Sequence, residues 1–373
     1  MTTIHCPVIH SGLSIYLTHP TEVTINHCCL RRDFIKTEVN NIWNNPQLLP
    51  LRKLNDSEQW DRNCWTCQGN EESGLESFRT GALQKFGIKK NLTGPRRLHL
   101  QFDIGCNLAC RTCGTHSSTY WQTHLTTHNI PFTPVHPASR ADDMIEILKT
   151  LDLSNLEMVV FSGGETLLGQ GYWKVADAIA NLVPNSQEQV TLCFQTNGTQ
   201  SISERNFKII EKFQLVKLHI SLDGTGKRFE YLRWPASWNQ VADNIQNLKQ
   251  TLPVNVMFLI EETMSVFNLY YHHELEDWAK QNFSVNRLGD VINHTQHVAG
   301  GIFSLECLST EYVDALLNNN LSNLVNSKHQ EDPLKIQIML DEITKFDQTR
   351  NQRWQEVFPE VAEFYKRFTS AGK

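Results

Sequence analysis

The stretch RRLHLQFDIGCNLACRTC, residues 96–113, joins an alternating apolar–polar run to three cysteines spaced C-x3-C-x2-C. Successive side chains of a strand point to opposite faces. Leu98, Leu100 and Phe102 therefore share one face, and His99, Gln101 and Asp103 share the other. The alternation returns downstream. Val190, Leu192 and Phe194 oppose Thr191, Cys193, Gln195 and Asn197, while Leu218, Ile220 and Leu222 oppose Lys217, His219, Ser221 and Asp223.

RRLHLQFDI, LEMVVFSGG, QVTLCFQTNG, VKLHISLDG and PVNVMFLIE each read as a strand. Between them lie stretches long enough for crossover helices, such as RADDMIEILKTL, YWKVADAIANLV, SERNFKIIEKF and WNQVADNIQNLKQTL. Alternating β and α at this spacing predicts an α/β fold with a parallel sheet. The helices must cover the apolar faces, so the polar faces point into a shared interior. A filled eight-stranded barrel packs that interior with branched apolar residues. A polar interior predicts an incomplete, open barrel around a binding cavity. An antiparallel sheet with one solvated face fits the long helical connections poorly. The tail, with EYVDALLNNNLSNLV and QRWQEVFPEVAEFYKRF, reads as helical.

The 373 residues are 40% apolar and 20% charged, ordinary values for a globular protein. The net charge is −6 and the basic residues are scattered, which predicts no nucleic-acid partner. No apolar run approaches the roughly 18–20 residues that cross a bilayer, so no membrane is expected. The opening MTTIHCPVIHSGLSIYLTHP has no basic n-region followed by an apolar h-region. The expected location is the cytoplasm. In a reducing compartment the ten cysteines serve as metal ligands or buried apolar groups rather than as disulfides.

Cys106, Cys110 and Cys113 fall at i, i+4 and i+7, also one face of a helix. On a helix the outer two would stand about 10 Å apart along the axis, at roughly 1.5 Å per residue. That is too far to grip one compact cluster, and the segment opens with Gly105-Cys106-Asn107 directly after a strand. A loop wrapped around a cofactor is the better reading. Grouped thiolates point to zinc or iron–sulfur. Zinc wants a fourth ligand, for which His116 is near, whereas three cysteines on a four-iron cube leave one iron open.

CNLACRTC resembles the signature of the radical S-adenosylmethionine (SAM) superfamily, although Thr112 stands where the family usually has an aromatic. The resemblance implies a [4Fe–4S] cluster on Cys106, Cys110 and Cys113, with SAM on the fourth iron. An electron then splits SAM into methionine and a 5′-deoxyadenosyl radical that abstracts hydrogen from a substrate. FSGGETLL matches the family's turn that contacts the SAM amino group, through Gly163, Gly164 and Glu165. TNGT supplies Asn197, and SLDGTGKRFEYLR supplies Ser221 and Asp223, at strand ends where the family contacts ribose or methionine carboxylate, with Arg233 of EYLR a further candidate SAM contact. The resemblance covers roughly residues 95–300 and implies a partial (β/α)6 TIM-type barrel. It also implies a low-potential electron donor of the flavodoxin or ferredoxin type.

Five further cysteines, Cys6, Cys28, Cys29, Cys64 and Cys67, lie near the N-terminus. Their arrangement is similar to the auxiliary-cluster modules called SPASM and twitch, which usually follow the barrel rather than precede it. This implies one auxiliary [4Fe–4S] cluster on Cys6, Cys28, Cys64 and Cys67. Adjacent cysteines diverge, so Cys28 and Cys29 are not expected to bind together, and a structural zinc is the alternative. The expected organisation is an auxiliary module over 1–90, the barrel over 91–305 and a helical region over 306–373. Cys193, on the interior face with Asn197, is a candidate hydrogen-atom donor. His99, Gln101 and His219 are candidate substrate contacts, and Cys307 is placed near the barrel mouth. The expected activity is radical SAM chemistry, with a peptide substrate ranked ahead of a small molecule. The rival reading is a non-enzymatic zinc- or iron–sulfur-binding interaction or electron-transfer protein.

Overall fold

Among the described residues, nine strands form one open sheet in the order β3-β2-β1-β4-β5-β6-β7-β8-β9. They are β1 (Gly12–Tyr16), β2 (Val23–Asn26), β3 (Ile35–Thr37), β4 (Arg97–Gln101), β5 (Met158–Phe161), β6 (Thr191–Thr196), β7 (Leu215–Ser221), β8 (Val256–Met264) and β9 (His294–Val298). This computed structural model describes residues 4–19, 21–31, 33–39, 42–72, 76–135, 138–283, 294–298, 301–318 and 330–369. Strands β4 to β9 are parallel and adjacent in chain order, and among the described residues β3 and β9 are the edge strands. An α/β sheet of six such strands left open is the arrangement expected of a partial barrel.

The alternation of apolar and polar residues explains how the layers pack. Leu98, Leu100, Phe161, Leu192, Phe194, Leu218, Ile220 and Ile260 are buried in one core. Helices Ala141–Lys149, Gly171–Leu182 and Trp238–Thr251 cover that face with Met144, Ile147, Val175, Ile179, Val241 and Ile245. The opposite face carries His99, Cys193 and His219, as the period of two requires.

Two features go beyond the strands read from sequence. β1 lies parallel to β4, with Gly12 to Tyr16 in register with Arg97 to Gln101, and β2 and β3 continue the sheet antiparallel. The N-terminal region thus shares the main core through Leu13, Ile15 and Ile25. A second core joins helices Thr310–Asn318 and Pro333–Arg350 and the short turns to Thr369 against Tyr231, Phe267 and Leu269. Of the expected helix in EYVDALLNNNLSNLV, residues 319–325 lie outside the described residues. Among the described residues, no helix is long and apolar enough to cross a membrane.

Candidate functional site

The cysteine loop leaves β4 and ends where Ser118 caps helix Thr119–Thr127, accepting from Trp121 N. Ser118 Oγ also donates to Leu108 O at 2.5 Å, so the cap fixes the loop as well as the helix. Thr119 Oγ1 bridges the backbone N and O of Cys106, and Trp121 Nε1 donates to Cys110 O at 2.9 Å. From the other side, Ala109 N and Arg111 N donate to Trp234 O and Leu232 O. Tertiary contacts therefore hold the loop irregular, as its cysteine spacing predicts.

Cys110 is buried, Cys106 half-buried and Cys113 exposed as residues. Burial pushes the Cys106 thiol up to about 11 and raises Cys110 and Cys113 too. Negative charge on Cys106 or Cys113 would be felt at Cys110, so the three sulfurs share one electrostatic neighbourhood. Arg233 Nη1 points at Cys110 Sγ at 3.9 Å, and Asn197 Nδ2 at Cys106 Sγ at 3.8 Å. Such cationic and N–H partners favour thiolate over thiol.

The strand ends close around this loop. A Cβ on Gly163 would collide with Asp103 O, and one on Gly164 with Gly105 O. Gly163 also has φ 131°, which suits glycine alone. The Gly-Gly turn is thus needed for close packing on the root of the cysteine loop, where Gly164 N and Glu165 N donate to Asp103 O and Gly105 O. Glu165 is buried and accepts from Leu167 N, Thr196 Oγ1 and Asn197 N at 2.6–2.9 Å. Burial raises its pKa, against the pull of those donors. Asn197 reaches Asn107 in the loop at 3.0 Å. Asp223, buried, accepts from Arg233 Nη2 and Thr263 N at 2.9 Å, and its Oδ2 has no partner among the described residues. Ser221 lies at the end of β7, in register with Glu261. Burial opposes the Arg233 charge, but Asp223 and Cys110 outweigh it and hold the guanidinium protonated.

The N-terminal cysteines form a second group. Charge on Cys64 and Cys67 is felt at Cys6, and charge on Cys6 at Cys28. Burial pushes Cys6 up to about 12. Asn55 pins the Cys6 backbone through both its N and its O. Arg31 Nη1 approaches Cys64 Sγ at 3.6 Å. Cys29 does not diverge from Cys28 as expected: the two thiols are hydrogen-bonded, and Arg97 Nη2 lies 3.9 Å from the Cys29 sulfur. Its hydrogen bond from Cys28 and the charge of Arg97 lower its pKa while that of Cys28 rises.

On the interior face, Cys193 packs with Met158 and Val160 beside His219, whose Nδ1 lies 2.5 Å from Glu261 Oε1. His99 pairs with Ser162 Oγ at 2.8 Å, and burial lowers it to about 4, so it is neutral. Gln101 gives its carbonyl to Leu17 N. Cys307 is buried in the C-terminal core rather than facing a cavity. Sequence reasoning missed Arg111, Tyr231, Asp347 and Arg350, which surround the back of the cysteine loop. Asp347 lies 236 residues beyond Arg111, so no local spacing could have signalled the contact.

The donors fit a thiolate-bound cluster. Three thiols on one loop are met by N–H groups aimed at two of their sulfurs. Among the described residues, no three His, Cys, Asp or Glu side chains converge as ligands of one ion would. A cube binds each thiolate through a different iron, so its ligands need not converge on a point.

Residues 101–268 match the family model described as the radical SAM superfamily. No curated protein matches the chain. Among solved structures, a polyhistidine-tagged anSMEcpe with bound AdoMet aligns at 17% identity and a TM-score of 0.41, over 60% of this chain and 56% of that one. The aligned part is thus less than two thirds of that chain. Streptococcus suis SuiB bound to S-adenosylmethionine aligns at 14% identity and a TM-score of 0.40, over 90% of this chain and 69% of that one. SuiB bound to precursor peptide SuiA aligns at 13% and 0.39, over 96% and 75%. Likenesses this loose carry no argument about this chain.

Proposed function

Because residues 101–268 match the radical SAM superfamily, we propose that the protein cleaves SAM reductively and uses the radical on a substrate held inside the open barrel. The carrying observation is that the cysteine loop, the Gly-Gly turn, Asn197, Asp223 and Arg233 all meet at the C-terminal ends of β4 to β7. That end is where parallel barrels place their chemistry. A [4Fe–4S] cluster on Cys106, Cys110 and Cys113 supplies, when bound, the electron that splits SAM into methionine and a 5′-deoxyadenosyl radical.

The chain's own residues position and shield. Arg233 and Asn197 stabilise the thiolates of Cys110 and Cys106 by N–H···S contacts. Glu165 ties the Gly-Gly turn to the end of β6, which fixes Asn197 against the loop. The unpartnered Oδ2 of Asp223 and the hydroxyl of Ser221 are the acceptors proposed for SAM hydroxyl or amino groups. Cys193 is the proposed hydrogen-atom donor, with His219 beside it. Cys6, Cys28, Cys64 and Cys67 are the proposed ligands that would hold an auxiliary [4Fe–4S] cluster, and a low-potential flavodoxin- or ferredoxin-type protein is the proposed electron donor of the enzyme. The proposed domains are 1–90, 91–305 and 306–373, with a peptide substrate ahead of a small molecule.

The test is anaerobic reconstitution followed by iron and sulfide analysis and an assay for 5′-deoxyadenosine with dithionite and SAM. The wild type should form it, and Cys106→Ala, Cys110→Ala and Cys113→Ala should each abolish it. Zinc in place of iron, or no 5′-deoxyadenosine with any low-potential reductant, would sink the reading.

A further inference from the structure

Arg350 is buried with all three guanidinium nitrogens unpartnered and shielded from solvent among the described residues. Its Cζ lies 4.6 Å from the Trp121 ring, 4.8 Å from Trp234 and 5.6 Å from Phe346. The two tryptophans are among the residues that grip the cysteine loop, through Cys110 O and Ala109 N. Both rings that grip the loop therefore also pack on the Arg350 guanidinium.

A buried charge needs an opposite charge. The nearest carboxylate on its helix, Asp347, is already committed. It accepts from Arg111 Nη2 at 2.5 Å, Tyr231 OH at 2.8 Å and Trp354 N at 2.7 Å. No carboxylate lies within ion-pair distance of Arg350 among the described residues, whereas Arg233 has Asp223 and Arg111 has Asp347. Ring quadrupoles and the C-terminal end of helix Pro333–Arg350 favour a cation without neutralising it. In the protein alone, burial and the charge of Arg111 depress the Arg350 pKa to about 9, while Cys110 pulls it upward. The strain on this charge is relieved by negative charge arriving at the loop. A cube held by three thiolates is anionic and gains a further negative charge on reduction.

We infer that Arg350, from the C-terminal helix, is the electrostatic counter-charge of the cluster bound by Cys106, Cys110 and Cys113, and that it raises that cluster's reduction potential. It is a positioning residue of the electron-transfer step, acting through the aromatic wall rather than touching cluster or SAM. The inference rests on the proposed function, because it needs a cluster at that loop.

Wild type, Arg350→Met, Arg350→Gln and Arg350→Lys are reconstituted anaerobically in a Cys64→Ser/Cys67→Ser background, so that one cluster signal dominates. Iron and sulfide are counted first. The midpoint potential is then read by electron paramagnetic resonance during a dithionite titration. Arg350→Met and Arg350→Gln should each lower the midpoint by the equivalent of a tenfold shift in the reduction equilibrium, about 59 mV for one electron. Arg350→Lys should keep most of the wild-type value. A loaded Arg350→Met or Arg350→Gln protein with an unchanged midpoint overturns the inference. So does a fall in Arg350→Lys as large as that of the neutral variants, which would mean lost packing rather than lost charge. Thermal melts give a second readout that needs no redox signal. Removing iron with a chelator should lower the wild-type midpoint temperature more than that of Arg350→Met, and equal losses would overturn the inference. If wild type itself assembles no iron–sulfur cluster, the proposed function fails, and that outcome is distinct from a loaded cluster with an indifferent potential.

Discussion

His219 shows how two opposed effects decide one proton. Burial disfavours the imidazolium, but the adjoining Cys193 and the Glu261 carboxylate 2.5 Å away raise its pKa to about 9. A histidine whose folded pKa lies above its ordinary value near 6.5 stabilises the fold fully below that value. The contribution disappears as pH rises through about 9. The shift corresponds to at most about 3 kcal/mol. Urea unfolding should therefore show wild type losing stability between pH 7 and 9.5, beyond any loss in His219→Gln. Parallel pH profiles for the two proteins would mean that the pair holds no extra proton. The inward direction of Cys193 and His219 was legible, because a period of two assigns faces without knowledge of neighbours. Their partner was not. Glu261 reaches His219 through the β7–β8 register, which pairs His219 with Leu259 and Ser221 with Glu261. Register between parallel strands leaves no mark within either strand.

At the level of elements, the cysteine loop has no secondary structure of its own and borrows its shape from three neighbours besides the Gly-Gly turn and Asn197. Helix Thr119–Thr127 grips it through Ser118, Thr119 and Trp121, the 232–234 segment through two carbonyls, and helix Pro333–Arg350 through Asp347. The C-x3-C-x2-C spacing and the following Gly-Gly turn made the loop readable as a cofactor cradle. The third neighbour was visible only as part of a helical tail, since a contact spanning 236 residues depends on how the second core folds back. Asp347 joins that helix at once to Arg111, Tyr231 and Trp354 N. Removing one partner of a buried ion pair leaves the other charge uncompensated and costs about 3–5 kcal/mol. Asp347→Ala should lose stability on that scale in denaturant unfolding and, once reconstituted, should retain less iron than wild type. Full stability would show that Arg111 finds another acceptor and that the C-terminal helix does not support the loop.

For the whole molecule, the decisive fact is that the sheet does not stop at the barrel's first strand. β1 pairs with β4 along its full length, and Leu13 and Ile15 enter the same core as Leu98 and Leu100. Clustered cysteines made residues 1–90 readable as a unit. A parallel pairing across some 80 residues of chain gave no such signal, because loop closure over that distance is set by the finished core rather than by any local residue. Two perturbations should therefore separate. Cys64→Ser/Cys67→Ser removes thiols from the rim of the N-terminal region without touching β1. It should keep wild-type circular dichroism and one unfolding transition while iron falls by about half, the share of the proposed auxiliary cluster. Deleting residues 1–90 instead strips β1 from β4 and exposes an unpaired strand edge with apolar core beside it, a template for aggregation. That fragment should lose cooperative unfolding and precipitate. If residues 91–373 stay monomeric with native near-ultraviolet dichroism, then β1 only decorates the sheet, and the cysteine groups at its two ends fold independently.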